Sequence, residues 1–177
     1  MPPKIRSLGD MLETKYLRIE HVHAQFEGFN KDYHIVRFYR RVGIVLLEED
    51  RVMLVRQWRL LPRALVWELP GGTVEDDEDP IEAAVRETEE ETGIRCGPLE
   101  PLVVYYPGLD NVDNATYVYI CRKFSETGGF SPQQDEIVER RWIGMSEALD
   151  MVFRNEITDA MTVAGLTACV AKQAHQN

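Results

Sequence analysis

The sequence predicts an α/β protein: a mixed sheet with helices on its faces, preceded by a small β extension at the N-terminus. Three observations predict it. Two apolar runs of strand length, residues 42–47 and 52–55, flank the short polar turn 48–51. A strand-like stretch at 65–70 leads through two glycines into a helix with both ends marked, near 79 and 93. Two further helical patterns, 146–155 and 158–172, close the chain.

The elements follow in chain order. Residues 16–26 and 33–41 read as strands about the turn 27–31, and a two-stranded piece of this kind must pack on something. Residues 1–40 are thereby set apart as an extension, with 41–177 as the main domain. After the first two strands of that domain comes Leu65-Val66-Trp67-Glu68-Leu69-Pro70, with Gly71-Gly72 expected in a turn. Two glycines allow positive φ and a close approach of backbone to a ligand. Strands are expected again at 102–106, 115–124 and 137–143, the second of them alternating. The helix at 146–155 begins with the Ser146 hydroxyl as its cap, and that at 158–172 carries Val163, Leu166 and Val170 on one stripe.

Composition narrows the function. The chain has 177 residues, 44% hydrophobic and 28% charged, which suits one compact domain with an extension. No run of 18 apolar residues occurs, so no membrane span is expected. The opening MPPKIRSLGDMLETKYLRIE lacks the apolar core of a secretory signal. Cys96, Cys121 and Cys169, odd in number and widely spaced, fit reduced thiols of a cytoplasmic protein. A formal net charge of −10 argues against nucleic acid as a partner.

That charge is concentrated. Residues 75–91 hold ten acids, opposed only by Arg86. Asp79 and Pro80 mark a helix start and Gly93 its stop. The apolar stripe of this helix is Ile81, Ala84, Val85, Thr88 and Thr92, with the Thr88 hydroxyl expected to donate back to the Ala84 carbonyl. Glu87, Glu90 and Glu91 fall on a neighbouring face at i, i+3 and i+4, where like charges repel by roughly 0.2–0.5 kcal/mol per pair. They also occupy the last turns, where the helix dipole disfavours anions. A hard divalent cation with oxygen ligands removes that repulsion, so the cluster reads as a metal site rather than a solvated face.

The run Gly72-x5-Glu78-x7-Arg86-Glu87-Thr88-x-Glu90-Glu91-x-Gly93-Ile94 resembles the Nudix box, G-x5-E-x7-R-E-U-x-E-E-x-G-U with U aliphatic. Every fixed position is met; Thr88 stands where an aliphatic residue is usual, on the core-facing side. The resemblance implies the Nudix α/β/α sandwich and cleavage of a pyrophosphate linkage with Mg²⁺ or Mn²⁺. It also implies Glu87, Glu90 and Glu91 as metal ligands, with the Gly71 carbonyl adding another. Arg86 then orients the carboxylates by a bidentate contact with Glu78 or Glu87.

The flanks resemble one subfamily. Val55-Arg56-Gln57-Trp58-Arg59, then Trp67-Glu68-Leu69-Pro70-Gly71-Gly72, then Tyr106-Pro107-Gly108 are similar to runs that accompany the box in ADP-ribose pyrophosphatases. Candidates for substrate contact are therefore Arg56, Arg59, Trp58, Glu68, Pro107 and Gly108. The arginines suit phosphate, and Trp58 or Trp67 could stack on a base. Residues 109–114, LDNVDN, depart from the S-D-E common in that subfamily, which leaves the particular sugar nucleotide open. A glutamate in a later loop is the subfamily's general base, which implies Glu136, with Asp135 and Glu139 as alternates; a helix glutamate such as Glu90 could also serve. The layout of residues 1–40 resembles the element that the subfamily exchanges in a homodimer. The expected reaction is hydrolysis of ADP-ribose to AMP and ribose 5-phosphate. GDP-mannose, a dinucleoside polyphosphate or a non-canonical nucleotide are the other substrates to weigh, and a sensor that binds without cutting is the non-enzymatic alternative.

Overall fold

The structure, a computed structural model, describes residues 1–128 and 137–176. In chain order come β1 (Lys4–Glu13), β2 (Leu17–Gln25), β3 (Asn30–Phe38), β4 (Arg41–Glu48), β5 (Arg51–Arg59), β6 (Ala64–Glu68) and β7 (Gly71–Thr73). Helix α1 (Pro80–Thr92) follows, then β8 (Ile94–Cys96), β9 (Leu99–Tyr105), β10 (Val112–Asp113), β11 (Thr116–Cys121), β12 (Phe124–Glu126) and β13 (Ile137–Gly144). Helices α2 (Met145–Phe153) and α3 (Ala160–Gln176) end the chain. The chain divides into two compact units, Met1–Arg40 with Tyr105–Ala115, and Arg41–Val104 with Thr116–Asn177.

The first unit is a four-stranded sheet in the order β1-β2-β3-β10, rather than the two-stranded piece read from the sequence. Strands β1, β2 and β3 are antiparallel neighbours, and β10 lies parallel to β3. Strand β1 escaped notice because none of its ten residues is buried, so KIRSLGDMLE has no apolar period to read. Its hydrogen-bond ladder to β2 holds it. Strand β2 does alternate, with Glu20, Val22 and Ala24 buried.

The second unit carries a sheet in the order β13-β5-β4-β11-β9, with β6 added to β5 and β7 to β4. Strands β4 and β5 pair only beside their turn, at Leu47↔Val52 and Glu48↔Arg51. Beyond that point β6 takes up the pairing of β5 and β7 that of β4, so segment 64–73 is built into the sheet. Strand β4 is buried on both faces. Val42, Ile44 and Leu46 pack with Ala83 and Ala84 of α1, and with Ile94, Tyr119 and Cys121. On the other face Gly43 meets Met161, and Gly165 of α3 meets Leu69, Val118 and Val45. A sheet between helices results, the α/β/α sandwich that was expected. Each large side chain wholly buried there, such as Ile44 or Leu46, contributes about 1.5–3 kcal/mol.

Three local readings change. Strand 115–124 divides into β11 and β12, and β11 is buried on both faces because it lies parallel to β4 at the sheet's centre. Ser146 does not cap α2; Gly144 stands at the cap without a side-chain bond, and the Met145 N–H donates to the Asp50 carbonyl at 2.7 Å. Helix α3 begins at Ala160, where the Asp159 carboxylate accepts from the Thr162 N–H at 2.7 Å. Its buried residues include Met161, Thr162, Leu166 and Cys169, whereas Val163 and Val170 are half-buried. Among the described residues no helix is long and apolar enough to cross a membrane, and the three cysteines are free thiols.

Candidate active site

Both ends of α1 are satisfied as the sequence requires. Asp79 Oδ1 accepts from the Ile81 N–H at 2.8 Å, and Gly93, at φ 66°, donates its N–H to the Glu89 carbonyl at 2.8 Å. The buried stripe is Ala83, Ala84, Thr88 and Thr92; Ile81, read as part of it, is 44% exposed. Thr88 is tolerated in the core because its hydroxyl donates to the Ala84 carbonyl at 2.8 Å, and Thr92 does the same to Thr88 at 2.5 Å.

Gly71 and Gly72 lie in β7, not in a turn. What they provide is close approach. A Cβ on Gly71 would stand 2.2 Å from the Val42 carbonyl oxygen, and one on Gly72 would stand 2.3 Å from Glu87 Cδ. The carboxylates of α1 therefore sit directly on the strand. The Gly71 N–H donates to Glu91 Oε2 at 2.8 Å, and the Thr73 N–H to Glu87 Oε1 at 3.2 Å.

Arg86 ties the loop to the helix. It binds Glu78 with both prongs, Nε to Oε1 at 2.9 Å and Nη2 to Oε2 at 3.0 Å. It also donates to Glu87 Oε1 at 2.9 Å, Glu90 Oε2 at 3.3 Å and the Thr73 carbonyl at 3.0 Å. These bonds hold the Glu78 carboxyl below the usual carboxylate range and raise the arginine. Glu91 behaves in the opposite way: burial pushes its carboxyl up to about 8, against the opposing Gly71 N–H. The neighbouring Glu87 and Glu68 carboxylates push it further the same way.

A second cluster lies on β5 and β6. Glu68 is buried and bound by Arg59, Nε to Oε1 at 2.8 Å and Nη2 to Oε2 at 2.5 Å, and by Gln57 Nε2 at 3.1 Å. Arg56 lies with its guanidinium 5.5 Å from the Trp67 ring centre and 3.6 Å from Glu139, and its buried Nε has no hydrogen-bond partner among the described residues. Trp67 is core at 8% exposure, while Trp58 is 54% exposed. The structure thus brings Arg86, Glu87, Glu91 and Gly71 together, with Glu90 at their exposed edge. Pro107 and Gly108 belong to the other unit, where Gly108 bridges to Val112. Asp135 and Glu136 lie outside the described residues.

Sequence reasoning passed over Thr73 and Gln57. Thr73 uses both backbone groups at the site, and no side-chain signal announces that. Gln57 had a signal: in a strand it alternates with Arg56 and Trp58, so its amide points to the opposite, buried side, where Glu68 needs a donor. Among the described residues no three His, Cys, Asp or Glu side chains are gathered as a metal-holding group. Glu87 and Glu91 are turned to strand amides and Glu90 to Arg86. The donor set nonetheless fits a hard cation: several carboxylate oxygens and few opposing cations, with Glu91 buried among like charges.

A sheet between helices, with a box of glutamates on the helix beside the splayed strands, defines a hydrolase of the Nudix class. The model of the NUDIX domain family matches residues 37–162, and the chain belongs to this family. A CMP-5'-(N-acetyl-N-hydroxy-3-aminopropyl)phosphonate hydrolase of Streptomyces rubellomurinus is 30% identical over 158 residues, 88% of this chain and 76% of that one. An ADP-ribose pyrophosphatase of Bacillus subtilis is 28% identical over 134 residues, 75% of this chain and 72% of that one. A crystal structure of an ADP compounds hydrolase superposes with a TM-score of 0.83, covering 100% of this chain and 97% of that one at 18% identity, a likeness of fold.

Proposed function

We propose that the chain hydrolyses the phosphoanhydride of a nucleoside-diphosphate sugar with Mg²⁺ or Mn²⁺, and that ADP-ribose, cut to AMP and ribose 5-phosphate, is its substrate. The observation that carries this reading is the seat of Glu87 and Glu91 against the Gly71 and Thr73 amides, a concentration of carboxylate oxygens that a divalent cation would complete. When bound, such a cation would polarise phosphate oxygens and lower the pKa of an attacking water. Glu87, Glu90 and Glu91 would hold it, with the Gly71 carbonyl. Arg86 keeps Glu78 and the helix carboxylates in place, a positioning role that its five contacts support. Arg56 is the better phosphate ligand of the two strand arginines, since among the described residues its Nε is unpartnered whereas Arg59 is committed to Glu68. Trp58 offers its exposed ring to a base. Glu136, with Asp135 and Glu139 of β13 as alternates, takes the proton from water as it adds to phosphorus and the bridging P–O bond breaks. Residues 1–40 form a homodimer, by analogy with the layout of the subfamily.

A CMP-linked phosphonate is the second reading, favoured by the likeness to the Streptomyces hydrolase. The two readings differ in the substrate that is cut, so one panel of substrates separates them. The protein is incubated with Mg²⁺ and ADP-ribose, GDP-mannose or a CMP-linked phosphonate, beside Glu90→Gln and Glu91→Gln. ADP-ribose turned over fastest, with both variants slowed on the order of 10²-fold or more, is the expected result. Turnover of none, or full rate in the variants, sinks the reading. Gel filtration of a chain lacking residues 1–40 tests the dimer, which should be lost.

A further inference from the structure

Three of the chain's four histidines stand on one face of the N-terminal sheet. Across the β2–β3 pair, His21 opposes His34 and His23 opposes Asp32. Residues two apart in a strand share a face, so the four side chains form a two-by-two patch. The rings of His21 and His34 stack with centres 5.0 Å apart. His23 Nδ1 lies 2.6 Å from Asp32 Oδ1, and His21 Nε2 lies 3.7 Å from Asp32 Oδ2. The opposite face of the sheet holds Val22, Ala24 and Ile35, so the imidazoles are not there to fill a core. On β1 the residue opposite His21 is Gly9, at a bulge with φ 112° and open space where a Cβ would stand. His21 and His23 are each 32% exposed, reachable by an ion yet restrained by their neighbours.

We propose that His21, His23 and His34 form a site for a borderline divalent transition-metal ion, with Zn²⁺ as the reference, and that Asp32 orients it. Imidazole nitrogen suits Zn²⁺, Cu²⁺ and Ni²⁺, whereas the oxygen donors of α1 suit Mg²⁺ and Mn²⁺. The geometry already supplies the outer partner of a metal-binding histidine. A His23 ring that donates its Nδ1–H to Asp32 presents the Nε2 lone pair outward, the carboxylate–histidine arrangement that fixes tautomer and raises basicity. As the side chains stand, no three donors converge. Cross-strand Cβ atoms are about 4.5–5.5 Å apart. Along the strand the spacing is about 6.7 Å. Both spans let ring rotation bring nitrogens to the ~2.0–2.1 Å of a zinc bond. Breaking the His21–His34 stack is the step this requires. Arg6, opposite His23 on β1, is a facing cation that weakens the site.

Imidazole nitrogen resonances of the full-length chain, titrated with ZnCl₂ in excess Mg²⁺, test this directly. At one equivalent His21, His23 and His34 should shift while His175 does not. His34→Gln and Asp32→Asn, both at exposed positions, should each weaken Zn²⁺ binding at least about tenfold by calorimetry. Glu91→Gln should leave it unchanged. Unmoved His34 resonances overturn the proposal, as does a His34→Gln chain that binds Zn²⁺ as tightly as before. Zn²⁺ binding lost in Glu91→Gln and kept in His34→Gln also overturns it, and places the ion on the carboxylates.

Discussion

Helix α1 and strand β1 both bury no large apolar side chain, and they are held in opposite ways. The helix buries four small residues, Ala83, Ala84, Thr88 and Thr92, beneath a face of like charges that would weaken it in isolation. Its packing on β4 overrides that repulsion, and the surplus carboxylates are the mark of a site. The strand buries nothing and keeps its place through the ladder to β2. The lesson is that electrostatic strain carries functional meaning where tertiary packing holds it in place. An unpacked strand carries no such mark.

The contrast is broken most severely at the seam between α1 and β7. Gly72→Ala sets a Cβ 2.3 Å from Glu87 Cδ, so the carboxylate must leave its place. Displacement of a site group by about 1 Å can lower a rate by about 10²-fold, and kcat should fall by that order. Circular dichroism should still show the helix; a variant of full activity would mean that Glu87 acts from elsewhere. Next in size is the packing beneath the helix. Ile94→Ala removes a fully buried side chain from the cluster that α1 covers, and urea titration should show a loss of about 2–5 kcal/mol. A loss below 1 kcal/mol would mean that the site closes around the deletion.

A smaller effect belongs to the first unit and depends on pH. The Glu20 carboxylate accepts from Arg37 Nε at 2.7 Å. The Ser7 hydroxyl first and then Arg37 lower its pKa in the folded chain. A lowered folded-state pKa means that the contribution is fully present above the ordinary value of 4.5 and is lost as pH falls through the folded value. Amide exchange in β2 and β3 should therefore quicken, relative to β4, as pH drops below about 4.5. Glu20→Gln should remove that pH dependence. Persistence of the acid loss in the variant would assign it to another carboxylate.

How much was legible from sequence follows the same division. The sandwich was legible because β4 and β5 are continuous apolar runs of strand length, buried along nearly their whole course, and α1 carries a buried helical stripe between marked ends. The Glu87–Glu90–Glu91 face was legible because fixed spacing on a helix fixes geometry. Gly71 and Gly72 were read correctly for close approach and incorrectly as a turn. The amide ladder that makes β7 a strand depends on β4, more than twenty residues away. Thr73 was invisible for the same reason, since it acts through backbone atoms that any residue has. The fourfold sheet of the first unit was half legible: β2 alternates, while β1 and the two-residue β10 carry no pattern of their own.

Strand β1 supplies the smallest expected effect and the sharpest test of how it is held. Met11 is 64% exposed and reaches nothing in the core, so in an isolated chain Met11→Ala should change stability by no more than about 0.5 kcal/mol. The same strand also exposes Ile5, Leu8 and Leu12, more apolar surface than a solvated edge needs. If a second copy covers that surface, the substitution acts twice per dimer, and its effect grows as protein concentration rises toward the dissociation constant. Melting Met11→Ala and the unsubstituted chain at concentrations a hundredfold apart separates the two cases. A small, concentration-independent difference leaves β1 held by its ladder alone and counts against the dimer. A difference that tracks concentration shows that the strand buries in an assembly what it leaves exposed in the single chain.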